Sequence, residues 1–150
     1  MKARVVTGPV SLFPEAVVLI ISGQADLLAR GLADSRLEIS QAWQCVMVKV
    51  DRDRDLVPAG IIAFTVDEAR SLVWVQMSFV VPEFRGQGVY RFMYEALRTI
   101  AKQHRCRTIE GATHVNNTVM RSVAKKVGRV EQCVVMVDEL EIEPENLAQE

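Results

Sequence analysis

The chain has 150 residues, about half apolar and a quarter charged, with a formal net charge of −1. This balance fits one soluble domain over 1–150 with a real core; apolar runs such as Ala16–Ile21 are far too short to span a membrane, and the opening M-K-A-R-V-V-T-G lacks the apolar core of a signal peptide. Cys45, Cys106 and Cys133 are odd in number, widely spaced and without a C-x-x-C pattern, so the expectation is three reduced thiols in a cytoplasmic protein with no metal site.

The first element is a short strand, Ala3–Val6. Pro14–Ser22 has the pattern of a helix with proline near its start, and a second short helix over about Ala25–Ala33 is expected after Gly23. Trp43–Val50 is strand-like, the charged run D-R-D-R-D that follows it is a turn, and Gly60–Val66 and Leu72–Val81 are two further strands. Three consecutive strands with short connections form an antiparallel meander. Side-chain alternation puts Val73, Val75, Met77, Phe79 and Val81 on one face of the third of these strands, and Leu72, Trp74, Gln76, Ser78 and Val80 on the other. The period then changes. Val89, Phe92, Met93, Ala96, Leu97, Ile100 and Ala101 share one helical face. Arg107–Thr113 is another strand. Asn116 or Asn117 can cap a further helix, with Val119, Met120, Val123, Ala124 and Val127 on its inner face and Gly128 at its end. Val130–Val137 is expected as a last long strand, which Leu140 and Ile142 can continue. Asp138–Glu150 carries six carboxylates and no base. The order is β-α-α-β-β-β-α-β-α-β in a mixed α/β (α+β) sheet, with a parallel pair across the late strand-helix-strand crossover.

The most informative stretch is V-V-P-E-F-R-G-Q-G-V-Y over residues 80–90. An apolar strand runs into Pro82, and a turn bearing Arg85, Gly86, Gln87 and Gly88 leads into the helix at Val89, Tyr90 and Arg91. Two glycines at such a junction let backbone approach a ligand closely. The first amides of the helix lack internal partners, and its dipole adds partial positive charge. Together these features make a phosphate or pyrophosphate site. Charge agrees. Residues 85–129 hold ten Lys and Arg against Glu95 and Glu110, a net of +8, while the rest of the chain is net −9. A positive field beside a phosphate-shaped loop fits an anionic cofactor. Nucleic acid is the weaker reading, because the chain as a whole is not basic and has no aromatic-rich basic motif.

This order, with R-G-Q-G-V at the head of the central helix, resembles the GNAT superfamily of acyl-CoA N-acyltransferases. The family pattern is V-x-P followed by Q/R-x-x-G-x-G/A, to which Val80, Pro82, Arg85 and Gly88 correspond. Tyr90 stands where glycine or alanine is usual. A second pattern, N-x-x-A-x-x-x-Y-x-x-x-G, aligns Asn117 and Gly128. Ala124 falls at its tyrosine position, so a tyrosine general acid does not carry over to this chain. The resemblance implies a mostly antiparallel sheet of six to seven strands flanked by helices. It also implies acetyl-CoA as co-substrate, its pantetheine arm along Phe79 and Val80 with Asn117 nearby, and its pyrophosphate at 85–91. The implied reaction is direct transfer of an acetyl group to the amine of a small molecule, protein or peptide. Trp74 occupies the approximate register of the strand glutamate that some members use as a base.

His114 and Glu110 are the candidate catalytic groups, since imidazole is the ordinary base near neutral pH and the two share a strand face by alternation. Trp74, Gln76 and Ser78 are candidates for the acceptor pocket. A homodimer through the final strands is also expected. Two alternatives stand beside transfer. One is a GNAT-like domain that binds CoA or a partner without catalysis. The other is a dinucleotide-binding module built on Gly86-x-Gly88, against which Arg91 stands at the third glycine position.

Overall fold

The computed structural model describes residues 2–33 and 37–142. Eight regular elements follow one another among these residues. They are β1 (Ala3–Pro9), α1 (Pro14–Ala29), β2 (Gln44–Arg52), β3 (Asp55–Asp67), β4 (Leu72–Val80), α2 (Val89–Gln103), β5 (Thr108–Gly111) and α3 (Thr118–Lys126). The strands form one sheet in the order β1-β2-β3-β4-β5. The first three pairings are antiparallel and β4–β5 is parallel, as the crossover through α2 requires. The charged turn after β2 is tight. Asp53 and Arg54 both take positive φ, 50° and 78°, which matches the twist of a two-residue hairpin.

The sheet separates two cores. On one side α1 packs Ala16, Leu19 and Ile20 against Cys45, Met47, Ile61 and Met77. On the other, α2 packs Val89, Met93 and Leu97 against Val46, Val48, Ile62 and Phe64. The apolar spacing along α2 accounts for this directly. Cys45 lies wholly buried in the first core, and burial pushes its thiol up to about 11, so it is inert as a nucleophile.

The elements differ from the sequence expectation in three places. Helix 14–22 and helix 25–33 are one helix, and Gly23 lies inside it. A Cβ on Gly23 would sit 2.9 Å from Cβ of Phe79, so this glycine serves close packing on β4. The glycine that ends α1 is Gly31, at φ 68°, with Leu32 N–H donating to Leu27 O at 2.8 Å. Second, the alternation along β4 breaks. The register with β3 shifts where Ala63 pairs with Met77 and Phe64 with Val75, leaving Gln76 as a bulge. Val73 and Val75 therefore join the α2 core, whereas Met77 and Phe79 join the α1 core. Third, the strand over Val130–Val137 does not form. The described sheet has five strands, and residues 130–142 carry no regular secondary structure.

Glu131 anchors the start of that segment to α3. Its carboxylate accepts from Arg121 Nε at 2.7 Å and Nη2 at 3.0 Å, and Lys125 Nζ lies 3.4 Å away. The hydrogen bond from Arg121 is the main cause that holds the Glu131 carboxyl down to about 2. A depressed carboxyl stabilises the fold above its ordinary value of 4.5, and that contribution drains as pH falls toward 2. Glu131→Gln should lower the thermal midpoint slightly at pH 6, and the difference should shrink as pH falls below 4.5 and vanish only below about 2. The expected result is two melting curves that converge on acidification; a constant gap would show that the charge on Glu131 is irrelevant to it.

Candidate functional site

β4 and β5 run together only briefly. Their parallel ladder covers Leu72–Val75 opposite Thr108–Gly111, and β4 then continues to Val80 without β5 beside it. The bulge at Gln76 lies at this fork. A cleft of about 980 Å³ opens there, between α1, the free stretch of β4, the head of α2 and α3. Backbone amides and carbonyls on the free edge of β4 need partners, so an extended ligand with amide groups gains by pairing with them.

The cleft ends at the glycine turn. Pro82–Phe84 forms a single 3-10 turn after β4, and Gly88 is the N-cap of α2 in the left-handed conformation, at φ 81° and ψ 11°. Gly86 also has positive φ, 75°. A Cβ on either glycine would meet nothing within 4 Å, so the turn faces open space, and both glycines line the cleft. No side chain caps this end of α2. Its first amides are left for a ligand, and the dipole favours an anionic one.

Most of the expected cofactor residues come together here. Phe79, Val80, Arg85, Gly86, Gly88, Val89, Tyr90, Arg91 and Asn117 all line the cleft. Gln87 does not; its amide donates to Glu83 O at 3.1 Å and closes the turn. Arg85 holds the junction. It donates through Nε to Val80 O at 3.0 Å, lies over the Phe79 ring, and reaches Asp26 on α1 at 3.8 Å. Asn117 caps α3 by accepting from Met120 N–H at 3.1 Å. Tyr90 stacks on Tyr94 and its hydroxyl is 3.5 Å from Arg129 Nη1. Burial raises the Tyr90 phenol, with Arg129 opposing, so it stays a protonated donor at neutral pH.

The acceptor and catalytic candidates divide. Gln76, Ser78 and His114 line the cleft, while Trp74 and Glu110 do not. These last two are register partners on the paired part of β4 and β5, before the fork. Glu110 accepts from Thr108 Oγ1 at 2.6 Å. Gln76 donates to Thr65 Oγ1 at 3.2 Å. Ser78 Oγ is buried and has no hydrogen-bond partner among the described residues. His114 Nδ1 accepts from Asn116 N–H at 3.1 Å. In the neutral ring this leaves the proton on Nε2, which is then a donor.

Sequence reasoning missed Asp26 and Arg30, which also line the cleft. They pair at 2.6 Å across one turn of α1. Their i,i+4 spacing within the expected helix at 25–33 is the signal that could have found them; that this turn of helix borders the cleft depends on tertiary packing. Lys126 and Arg129 were missed as well. They lie at the end of α3, which guanidinium groups of α2 hold in place. Arg91 donates to Lys126 O at 3.4 Å and Arg98 donates to Val127 O. Cations at a helix C-terminus also complement its dipole.

Comparison with known proteins agrees with this architecture. Residues 25–128 match the profile described as the acetyltransferase (GNAT) family. No curated protein sequence matches the chain. Among solved structures, the aminoglycoside N-acetyltransferase AAC(6')-Iy in complex with CoA is similar. It has 18% identity and a TM-score of 0.61, over 93% of this chain and 100% of that one. The aminoglycoside 6'-N-acetyltransferase AAC(6')-Ih from Acinetobacter baumannii gives 14% identity and 0.65, over 95% and 100%. The ribosomal-protein-alanine N-acetyltransferase from Brucella melitensis biovar Abortus 2308 gives 16% and 0.64, over 93% and 100%. At these identities the structures speak for the fold alone. The family match spans more than half of the sequence and includes the glycine turn and helices α2 and α3 at the cleft, so the chain belongs to the GNAT acetyltransferase family.

Proposed function

We propose that the protein transfers an acetyl group from acetyl-CoA to an amine. The observation that carries this reading is the continuity of the cleft. It joins an uncapped helix N-terminus bearing two left-handed glycines to a strand edge freed by the β4–β5 fork. An anionic head and an amide-rich arm fit those two parts in that order. The sheet also weighs against a dinucleotide module, because an antiparallel meander, not repeated βαβ units, precedes the turn.

When bound, acetyl-CoA supplies a thioester carbonyl: a C–N bond forms, a C–S bond breaks, and a proton passes from nitrogen to sulfur. The amides at the head of α2 would hold the diphosphate, with Arg91, Lys126 and Arg129 supplying positive charge around it. The free edge of β4 at Phe79 and Val80 would pair with the arm. Amides on that edge would also stabilise the oxyanion. His114 acts as a positioning donor through Nε2–H and the amine loses its proton through water, since Nδ1 is engaged by Asn116.

Among the described lining residues Asp26 is the one carboxylate, and it is already paired with Arg30 and Arg85. That lining suits an acceptor presenting one amine better than one carrying an array of positive charges.

Two measurements test the reading. CoA thiol release should be seen with acetyl-CoA over a panel of simple amines and peptide N-termini, and acetyl-CoA but not NADH should give a calorimetric binding signal. Acetyl-CoA binding without thiol release across the panel would favour a CoA-binding domain that does not catalyse. His114→Ala should lower kcat about ten-fold, the loss of one hydrogen bond, with KM for acetyl-CoA unchanged, and the acid limb of the kcat–pH profile should survive. Loss of that limb would make His114 the base instead.

A further inference from the structure

The α1 wall of the cleft differs in chemistry from the glycine turn and the end of α3. It is built by the second half of α1, the chain just after that helix and the face of β4 that carries Met77 and Phe79. Leu27, Leu32, Leu37 and Phe79 all line the cleft and are each half-buried. Hydrocarbon therefore stays open along the same stretch of β4 whose backbone edge is free. Apolar surface of this kind in a cleft recognises the hydrocarbon body of a ligand.

Charge says what this wall does not hold. Asp26 is the one carboxylate among the described lining residues, and Arg30 and Arg85 stand 2.6 and 3.8 Å from it. Two cations thus face one anion, and a polycation finds no net attraction there. The surplus positive charge favours the neutral form of an approaching amine, which is the form that can attack. Room is limited too. The cleft of about 980 Å³ is shared with the arm of acetyl-CoA, whereas a pocket for one drug-sized ligand already takes roughly 300–1,000 Å³. That favours a small molecule over a peptide.

Resting on the transfer reading above, we propose that the acceptor is a small primary amine on an apolar body, an alkyl or arylalkyl amine, seated against Leu27, Leu32, Leu37 and Phe79. The hydrocarbon supplies the affinity and the amine enters uncharged. Met77 and Phe79 lie just past the bulge at Gln76, so a body on this wall brings its amine to the fork. The far end of an arm that runs from the glycine turn along Val80 and Phe79 arrives at the same place.

The test is a series of primary amines from propylamine to hexylamine, with spermidine and a phenylalanyl dipeptide amide beside them. With thiol release as the readout, kcat/KM should rise about three- to four-fold per added methylene, or about 30-fold over the whole series, with spermidine lowest. Leu32→Asn should cut that gain to below about ten-fold, with acetyl-CoA affinity unchanged in calorimetry. Leu32 suits the test because its side chain lies outside the α1 core, and its N–H would still donate to Leu27 O. A second readout needs neither a variant nor turnover: N-hexylacetamide should bind the CoA-loaded protein about 30-fold tighter than N-propylacetamide. A flat amine series with normal thiol release, equal affinity for the two amides, or a preference for spermidine or the dipeptide amide would overturn this assignment and leave the transfer reading intact. Absence of acetyl-CoA binding by the wild-type protein would overturn the transfer reading, and this assignment with it.

Discussion

Gly88→Glu should abolish acetyl-CoA binding, weakening it more than about 100-fold, while the protein stays folded. Gly88 caps α2 at φ 81°, so any L-residue there bears a strain of about 1–2 kcal/mol. That is tolerable within the stability of a domain of this size. A new Cβ would have no neighbour within 4 Å, so the side chain would extend into the cleft without clashing with protein. Its carboxylate would lie where the uncapped amides of α2 favour an anion, and would compete with a diphosphate for them. Gly88→Asn separates strain from charge, because asparagine tolerates the left-handed region and remains neutral. It should bind within about ten-fold of wild type. Titration calorimetry on the three proteins decides. Equal affinity of the Glu variant and the wild type, with matching circular dichroism, would remove the turn as the anion site.

The turn was legible because its signals are local. Glycine supplies positive φ, proline ends a strand, and the change from a period of two to 3.6 marks the start of a helix, all within the 80–90 stretch. The parallel β4–β5 pair and the Asn117 cap were legible for similar reasons. What escaped the sequence depends on contacts between distant residues. Gly23 looks like a helix stop, and only its packing against Phe79 makes it a helix-interior position. Alternation along β4 fails at Gln76 because β3 and β4 differ by one residue in their pairing, which neither strand shows alone. That bulge is why Trp74 lies away from the cleft whereas Ser78 lines it. The run at 130–137 has the composition of a strand, but composition does not supply a partner, and none of the described strands pairs with it.

Gly23→Leu should destabilise the protein by about 2 kcal/mol or more, even though the substitution improves the helix. Glycine inside a helix costs about 1 kcal/mol relative to alanine, and leucine is nearly as good a helix former. On propensity alone the variant gains stability. Packing reverses the sign. The first added carbon would lie 2.9 Å from Phe79 Cβ and 3.2 Å from Met77 sulfur. The methionine can move, but Phe79 Cβ is fixed to the β4 backbone and cannot. α1 must therefore lift from the sheet along the Ala16–Ile20–Met77 core, where forced extra methylenes cost roughly 1–3 kcal/mol and larger shifts cost more. The thermal midpoint should fall by about 4–8 °C. Because Phe79 also borders the cleft, acetyl-CoA affinity should fall in the same variant. Gly23→Ala should fall between the two, its propensity gain offsetting part of a smaller clash. A Leu variant that melts at or above the wild-type midpoint would mean that the α1–β4 contact yields without cost, and that Gly23 does not set the spacing of the cleft wall.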